Sequence, residues 1–435
     1  MKSRFFSFMT LVVFSAILLV SCKKDEAPPK PNSPSAYPSE VIDKWMTLQV
    51  RLMRNSTGIP NQALSRHFAY SGIAALQSLA PGLHGHNDWT NEWNGLTGLP
   101  DRNLYERYYF PSNVNAALAA MNRSLFPNAN AADKAAIDSL EKAFNEDFLA
   151  TTDQGLIAKS ANYGKLVAEA VYNWAETDGY KNANNPYTPP TGPGLWVPTP
   201  PAFAPAATPY WGNNRPVLAR SIENTMPAAP PTYSVESGST FHDMVKEVYD
   251  ASLTLTDDQK AMAIFWRDVP GVSSPGHWLS ILQQAMRKKY TSLDKAATAY
   301  ALTGAAINDA LIACWKAKYK YNLVRPITFI RGVMGYSNWN TQIGTPSHPE
   351  YPSAHSALSA AGGEVLQKLF GNVGTFTDNT YNYMGLAPRT YNSFSAIANE
   401  AGQSRLYAGI HYQLSIDAGL AQGRKVTSNI FSNGK

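Results

Sequence analysis

Three short stretches near the C-terminal end of the chain carry residue types that could hold and turn over a dense oxyanion. In KYKYNLVRP, Lys318 and Arg325 stand close together on the chain. In TPSHPEYPSAH, Pro352 ends one segment, Ser353 is a good helix cap, and His355 falls in the first turn that follows. In SRLYAGIH, Arg405 precedes His411. The cations neutralise an anion, the arginine forks match its oxygens, and the histidines move protons or bond its central atom. The helix opening at Ser353 and Ala354 adds unpaired backbone N–H groups and the positive end of a helix dipole, which favours phosphate-like species. Trp315, three residues before Lys318, shares its helical face and can wall the pocket that the lysine enters.

These side chains need rigid elements behind them. After Ser353, the residues Ala357, Leu358, Ala361, Val365, Leu366 and Leu369 recur at helical spacing. Lys318 closes a long helix predicted over 293–321, in which Asp309 lies on roughly the opposite face and is assigned a structural role. A last helix is predicted over about 398–425. Within it Arg405 and His411 would stand about 9 Å apart along the axis and roughly 120° around it. Only the reach of arginine would let both touch one ligand, and Gly409 between them permits close approach of a neighbour.

Taken in this order, the three stretches resemble the signature of the superfamily that joins type 2 phosphatidic-acid phosphatases (PAP2) and vanadium haloperoxidases. The signature covers 318–417. The resemblance implies an all-α fold of helical bundles and two chemistries. In phosphatase members the histidine matching His411 attacks phosphorus and the one matching His355 protonates the leaving group. In haloperoxidase members the same pocket holds vanadate, implying His411 as the vanadium ligand and His355 as acid–base for hydrogen peroxide. Lys318 would polarise the peroxide, and Lys318, Arg325, Ser353, Ala354 and Arg405 would surround the oxyanion. His348 matches a position where bromide-oxidising members carry histidine, which implies a group titrating near pH 6 to 7 beside the anion, with Trp315 nearby. The partners implied are hydrogen peroxide, bromide or iodide, and a small organic substrate. Two positions depart from the family pattern. The acid usually found four residues after the last histidine is Ser415 here, with Asp417 on another face, and the usual glycine before His355 is Ala354. An acid phosphatase taking phosphate without a cofactor is the alternative, and an inactive oxyanion binder the third reading.

The rest of the chain supplies the frame. Apolar spacing predicts helices over 40–54, 61–79, 113–125, 131–150, 157–177, 241–254, 256–267 and 278–290, with few strand signals. This divides the chain into an N-terminal helical region, 40–240, and a catalytic region, 241–435. His67 reads as a core residue, and His84 and His86 as residues of a turn. Between Pro186 and Pro231 lie thirteen of the 30 prolines, together with Trp196, Phe203, Tyr210 and Trp211. Linkers lack such aromatics, so an ordered excursion packed near the site entrance is expected.

With 44% hydrophobic residues, the 435-residue chain can bury a large core. Its net charge of +5 is spread rather than clustered, which excludes a nucleic-acid surface. Residues 1–21 read as a signal peptide, and Leu19-Val20-Ser21-Cys22 resembles a bacterial lipobox. Cleavage would leave Cys22 acylated, followed by a flexible tether over 22–39. The expected location is the bacterial cell envelope, on the periplasmic or surface face of the outer membrane, held by the lipid alone. No later segment is expected to span a bilayer. A homo-oligomer is compatible with this reading.

Overall fold

The computed structural model describes residues 33–83, 89–102, 106–269, 271 and 273–433. The signal peptide, Cys22, most of the tether and the pair His84 and His86 lie outside them. The chain folds as helical bundles. The helices are α1 (Glu40–Asn55), α2 (Asn61–Ser78), α3 (Phe110–Leu125), α4 (Ala131–Leu149), α5 (Gln154–Ala175), α6 (Thr240–Leu253), α7 (Asp257–Phe265), α8 (Ser274–Lys289), α9 (Leu293–Tyr321), α10 (Pro326–Gly332), α11 (Ala354–Phe370), α12 (Phe394–Tyr407) and α13 (Gln413–Asn433). Most begin at a residue whose side chain accepts from the first turn: Asn130, Asp153, Ser239, Ser273, Ser353 and Ser393 all do so, and Thr256 forms a capping box with Gln259.

Helix α9 is the axis of the molecule, packed between α2 on one side and α11 and α13 on the other. By length and a hydropathy of 1.2 it could cross a membrane, contrary to the sequence expectation, yet 94% of that window is buried by neighbouring helices. Its apolarity is that of a core helix surrounded on all faces. The helices meet at nearly bare backbone. A Cβ on Gly304 would stand 2.7 Å from Ala69 Cα, and one on Gly72 would stand 2.6 Å from the Tyr300 carbonyl carbon. On the other side, a Cβ on Gly419 would lie 2.5 Å from Ser353 O, so α13 presses directly on the cap of α11. Larger residues at these positions would push the site helices apart.

Residues 186–231 form an ordered excursion with no helix longer than the single turn at Trp211–Asn213. Trp196 and Trp211 are buried. Asp309 anchors the segment, accepting from Val217 N at 2.9 Å, Leu218 N at 3.1 Å and Ser221 Oγ at 2.7 Å. Midway along the excursion, Ala207 N donates to Ser347 O at 2.7 Å, which ties it to the proline-rich loop before α11.

The structure corrects the sequence expectation in the C-terminal third. The expected single helix over 398–425 is two helices, α12 and α13, separated at Gly409, which has φ +77°. Leu406, Ile410 and Leu414 recur every four residues across the break and imitate one continuous helix. Glycine is the residue that enters this left-handed region at no steric cost. A short antiparallel hairpin, β1 (Phe376–Asp378) with β2 (Arg389–Tyr391), and helix α10 were also absent from the sequence reading.

Candidate active site

The loop 345–353 carries the centre of the site and is pinned from beneath. Lys318 Nζ donates to three of its carbonyls, Pro349 O at 3.0 Å, Glu350 O at 2.9 Å and Pro352 O at 2.6 Å. Arg325 Nε donates to His348 O at 3.0 Å, and Glu350 N donates to Leu323 O at 2.9 Å. Ser353 N donates to Ser415 O at 2.9 Å, and its hydroxyl accepts from Ser356 N. The N–H of Ser353 is thus committed to the fold, correcting the expectation that it faces an anion. Ala354, the first residue of α11, lines the cavity and carries one of the N–H groups that no helical carbonyl reaches.

That cavity holds about 330 Å³ and is lined by His411, His355, His348, Trp315, Ala354, Asp268, Ser274 and Ala207, among others. Ala207 brings the excursion to its wall. Lys318, Arg325 and Arg405 do not line the cavity but are buried behind it. Their electrostatic reach is felt there: all three hold His411 well below the usual imidazole range, after burial itself. Burial also pulls Lys318 down to about 8 and both arginines to about 10.

His411 is held on both ring nitrogens. Nδ1 lies 2.7 Å from Glu350 Oε1, and Nε2 lies 3.3 Å from Arg325 Nη1. A carboxylate only accepts and a guanidinium only donates, so Nδ1 carries the proton and Nε2 the lone pair. Glu350 is fully buried and also accepts from Tyr412 N at 3.0 Å and from the Ser415 hydroxyl. Burial pushes its carboxyl up to about 7 against the opposing pull of Arg325. Asp417 pairs with Gln413 on the exposed face and has no part in this.

His355 belongs to a second chain of groups. Its Nε2 is 2.8 Å from Ser274 Oγ and 3.5 Å from Asp268 Oδ2, and Ser274 Oγ is in turn 3.0 Å from Asp268 Oδ1. The break at Gly409 is what aims Arg405 and His411 inward together. Arg405 lies in the last turn of α12, fully buried, donating to Ser404 Oγ and Ala263 O, and retains further N–H groups.

A family model described as the VCPO second helical-bundle domain matches residues 298–434. Among solved structures, the first bacterial vanadium-dependent iodoperoxidase is 31% identical, covering 91% of this chain and 96% of its own, with a TM-score of 0.81. The chain belongs to the vanadium haloperoxidase family. The apo and holo forms of a bacterial vanadium-dependent chloroperoxidase share the fold, at 16% and 17% identity, TM-scores of 0.65 and 0.63, covering 87% and 90% of this chain and 96% and 93% of theirs. No curated protein matches the chain.

The residues present suit the family's vanadate. Among the described residues no group of three His, Cys, Asp or Glu is placed to hold a bare metal ion. The donors here are instead three buried cations, the first turn of α11 and a single imidazole lone pair, which is the chemistry of an oxyanion seat. Two roles expected from the haloperoxidase signature look different in place. The three N–H groups of Lys318 are all committed to loop carbonyls, so here it braces the loop and acts on the cavity through its charge. His348 does not titrate near pH 6 to 7: burial, Lys318 and Arg325 hold it well below that range. Sequence reasoning missed Glu350, Ser274 and Asp268. Glu350 lies within the very loop that drew attention, but nothing local says that its carboxylate turns toward His411.

Proposed function

We propose that the protein is a vanadate-dependent haloperoxidase that uses hydrogen peroxide to oxidise bromide or iodide. The observation that carries this reading is His411. Its Nε2 lone pair is presented beside a cavity with three buried cations behind it, in a chain 31% identical to an iodoperoxidase. Vanadate, when bound, supplies Lewis-acid activation without a change of its oxidation state.

The chain's own residues do the rest. His411 Nε2 would bond the vanadium and the Ala354 N–H would meet an oxygen, while Arg325 and Arg405 would offset the negative charge from behind the cavity wall. Lys318 adds charge from behind the loop. His355 lines the cavity and would act as acid–base, with Ser274 and Asp268 beside its Nε2 to share the proton. Trp315 and His348, with ring centroids 5.0 Å apart, form the wall where a halide and a small organic acceptor would enter. The lipobox at Cys22 supports a lipid-anchored protein of the bacterial cell envelope.

The same lone pair could attack phosphorus, with His355 as the acid, so a phosphatase is the competing activity. Purified protein is incubated with vanadate, peroxide and bromide or iodide in the presence of a halogenation dye, and in parallel with an aryl phosphate without vanadate. Vanadate-dependent dye halogenation is expected. Phosphate release with no halogenation would replace the proposal by the phosphatase reading.

A further inference from the structure

The position four residues after His411, where an acid would orient the imidazole from the last helix, is Ser415. In the fold that serine faces Glu350, whose other oxygen holds His411. We propose that Glu350 is the positioning residue for His411, the acid having moved from helix α13 to the loop before α11, with Ser415 serving as its clamp. The inference rests on the reading of His411 as the group that bonds the oxyanion.

The geometry argues for a paired exchange. Glu350 reaches His411 across 61 residues of chain, and its backbone is fixed at both ends, through its N–H to Leu323 O and its carbonyl to Lys318 Nζ. Both carboxylate oxygens are occupied: one by His411 Nδ1 and Tyr412 N, the other by the Ser415 hydroxyl. A carboxylate at position 415 would point at Glu350 at hydrogen-bond distance, and two such groups cannot both ionise in a buried site. A hydroxyl there donates instead. The loop acid and the helix hydroxyl therefore form a complementary pair, and each explains the presence of the other. An imidazole held by a carboxylate on one nitrogen is fixed in ring orientation and more basic on the other.

The test uses the full chain as wild type, Glu350→Ala, Ser415→Asp and the double variant, with thermal unfolding as a check on folding. Two readouts are taken: the vanadate dissociation constant by calorimetry, and the His411 Nδ1–H resonance in histidine-labelled protein by NMR. Glu350→Ala is expected to weaken vanadate binding by roughly 10- to 100-fold and to lose the protected Nδ1–H signal. Ser415→Asp alone weakens binding, because two carboxylates then meet. The double variant recovers part of both readouts, which a merely structural role for Glu350 would not produce. A folded Glu350→Ala that keeps wild-type affinity and the resonance overturns the proposal, as does a double variant no better than Glu350→Ala. Should Glu350→Ala fail to fold, Glu350→Met keeps much of the side-chain volume and removes the acceptor, and wild-type vanadate affinity in it overturns the proposal. If the wild type binds neither vanadate nor inorganic phosphate, the oxyanion reading fails, while the Nδ1–H resonance still decides the role of Glu350.

Discussion

His348 Nδ1 sits between the Arg325 guanidinium, Nη2 at 3.0 Å, and the Pro349 carbonyl oxygen at 3.2 Å, so the ring is held in one orientation by contacts on a single nitrogen. His348 is a fixed ring beside Trp315, and burial with the charges of Lys318 and Arg325 keeps it well below the usual imidazole range. His348→Phe is expected to change the ratio of bromide to iodide oxidation, while the pH optimum stays in place and vanadate affinity remains within about tenfold, roughly 1.4 kcal/mol. Parallel halide assays across pH check this. Identical halide ratios would remove His348 from the site, and a displaced optimum would contradict its neutrality.

His411→Ala removes the lone pair presented beside the cavity, and no other imidazole is in contact with Glu350 among the described residues. Turnover and vanadate binding are both expected to vanish in a protein that still unfolds cooperatively. Wild-type turnover in that folded variant would show that His411 is neither ligand nor nucleophile.

Asp309 is the internal anchor of the excursion. Asp309→Ala leaves the buried Val217 and Leu218 N–H groups and the Ser221 hydroxyl without their acceptor. Each such group costs about 1 to 3 kcal/mol, so a loss of about 3 kcal/mol or more is expected. Denaturant unfolding measures it, and limited proteolysis should cut first within 186–231. A variant as stable and as protease-resistant as wild type would refute the anchoring role.

Buried His67, packed edge-on against Phe126 at 4.8 Å, is pulled by burial from 6.5 down to about 3. Its folded pKa is depressed, so the fold binds fewer protons than the unfolded chain. The stability it contributes is present above pH 6.5 and is lost as pH falls toward 3. His67→Phe keeps the ring contact and removes the titration. Measured from pH 7 to 4, its stability relative to wild type should rise as pH falls, by up to about 1.4 kcal/mol per unit. A pH-independent difference would count against a buried, neutral His67.

Cys22 lies outside the described residues, but the charged start, apolar run and lipobox before it predict a mature N-terminus on an acylated cysteine. Mass spectrometry of the membrane fraction should find that modification, and Cys22→Ala should abolish it and alter membrane partition. An unmodified Cys22 in the mature protein would disprove the anchor.

Most helix positions, the cap at Ser353 and the three histidines that line one cavity, His348, His355 and His411, were legible in the sequence. They follow from local properties: apolar spacing, the blocked φ of Pro352, the acceptor oxygen of Ser353, and three groups of cations and histidines at short range. The continuous helix expected through Arg405 and His411 failed because Leu406, Ile410 and Leu414 keep a helical period across Gly409, and hydrophobic period does not register a single left-handed residue. Which acid serves which histidine was decided only by the tertiary structure. Glu350 meets His411, and Asp268 with Ser274 meets His355, through separations of 61, 87 and 81 residues that no local pattern encodes. The glycine contacts of α9 with α2, and of α13 with α11, bring those backbones close enough for the pairs to form. Glu350 accepts from an imidazole rather than from water because of that approach, since at its fully buried position no solvent competes for its oxygens.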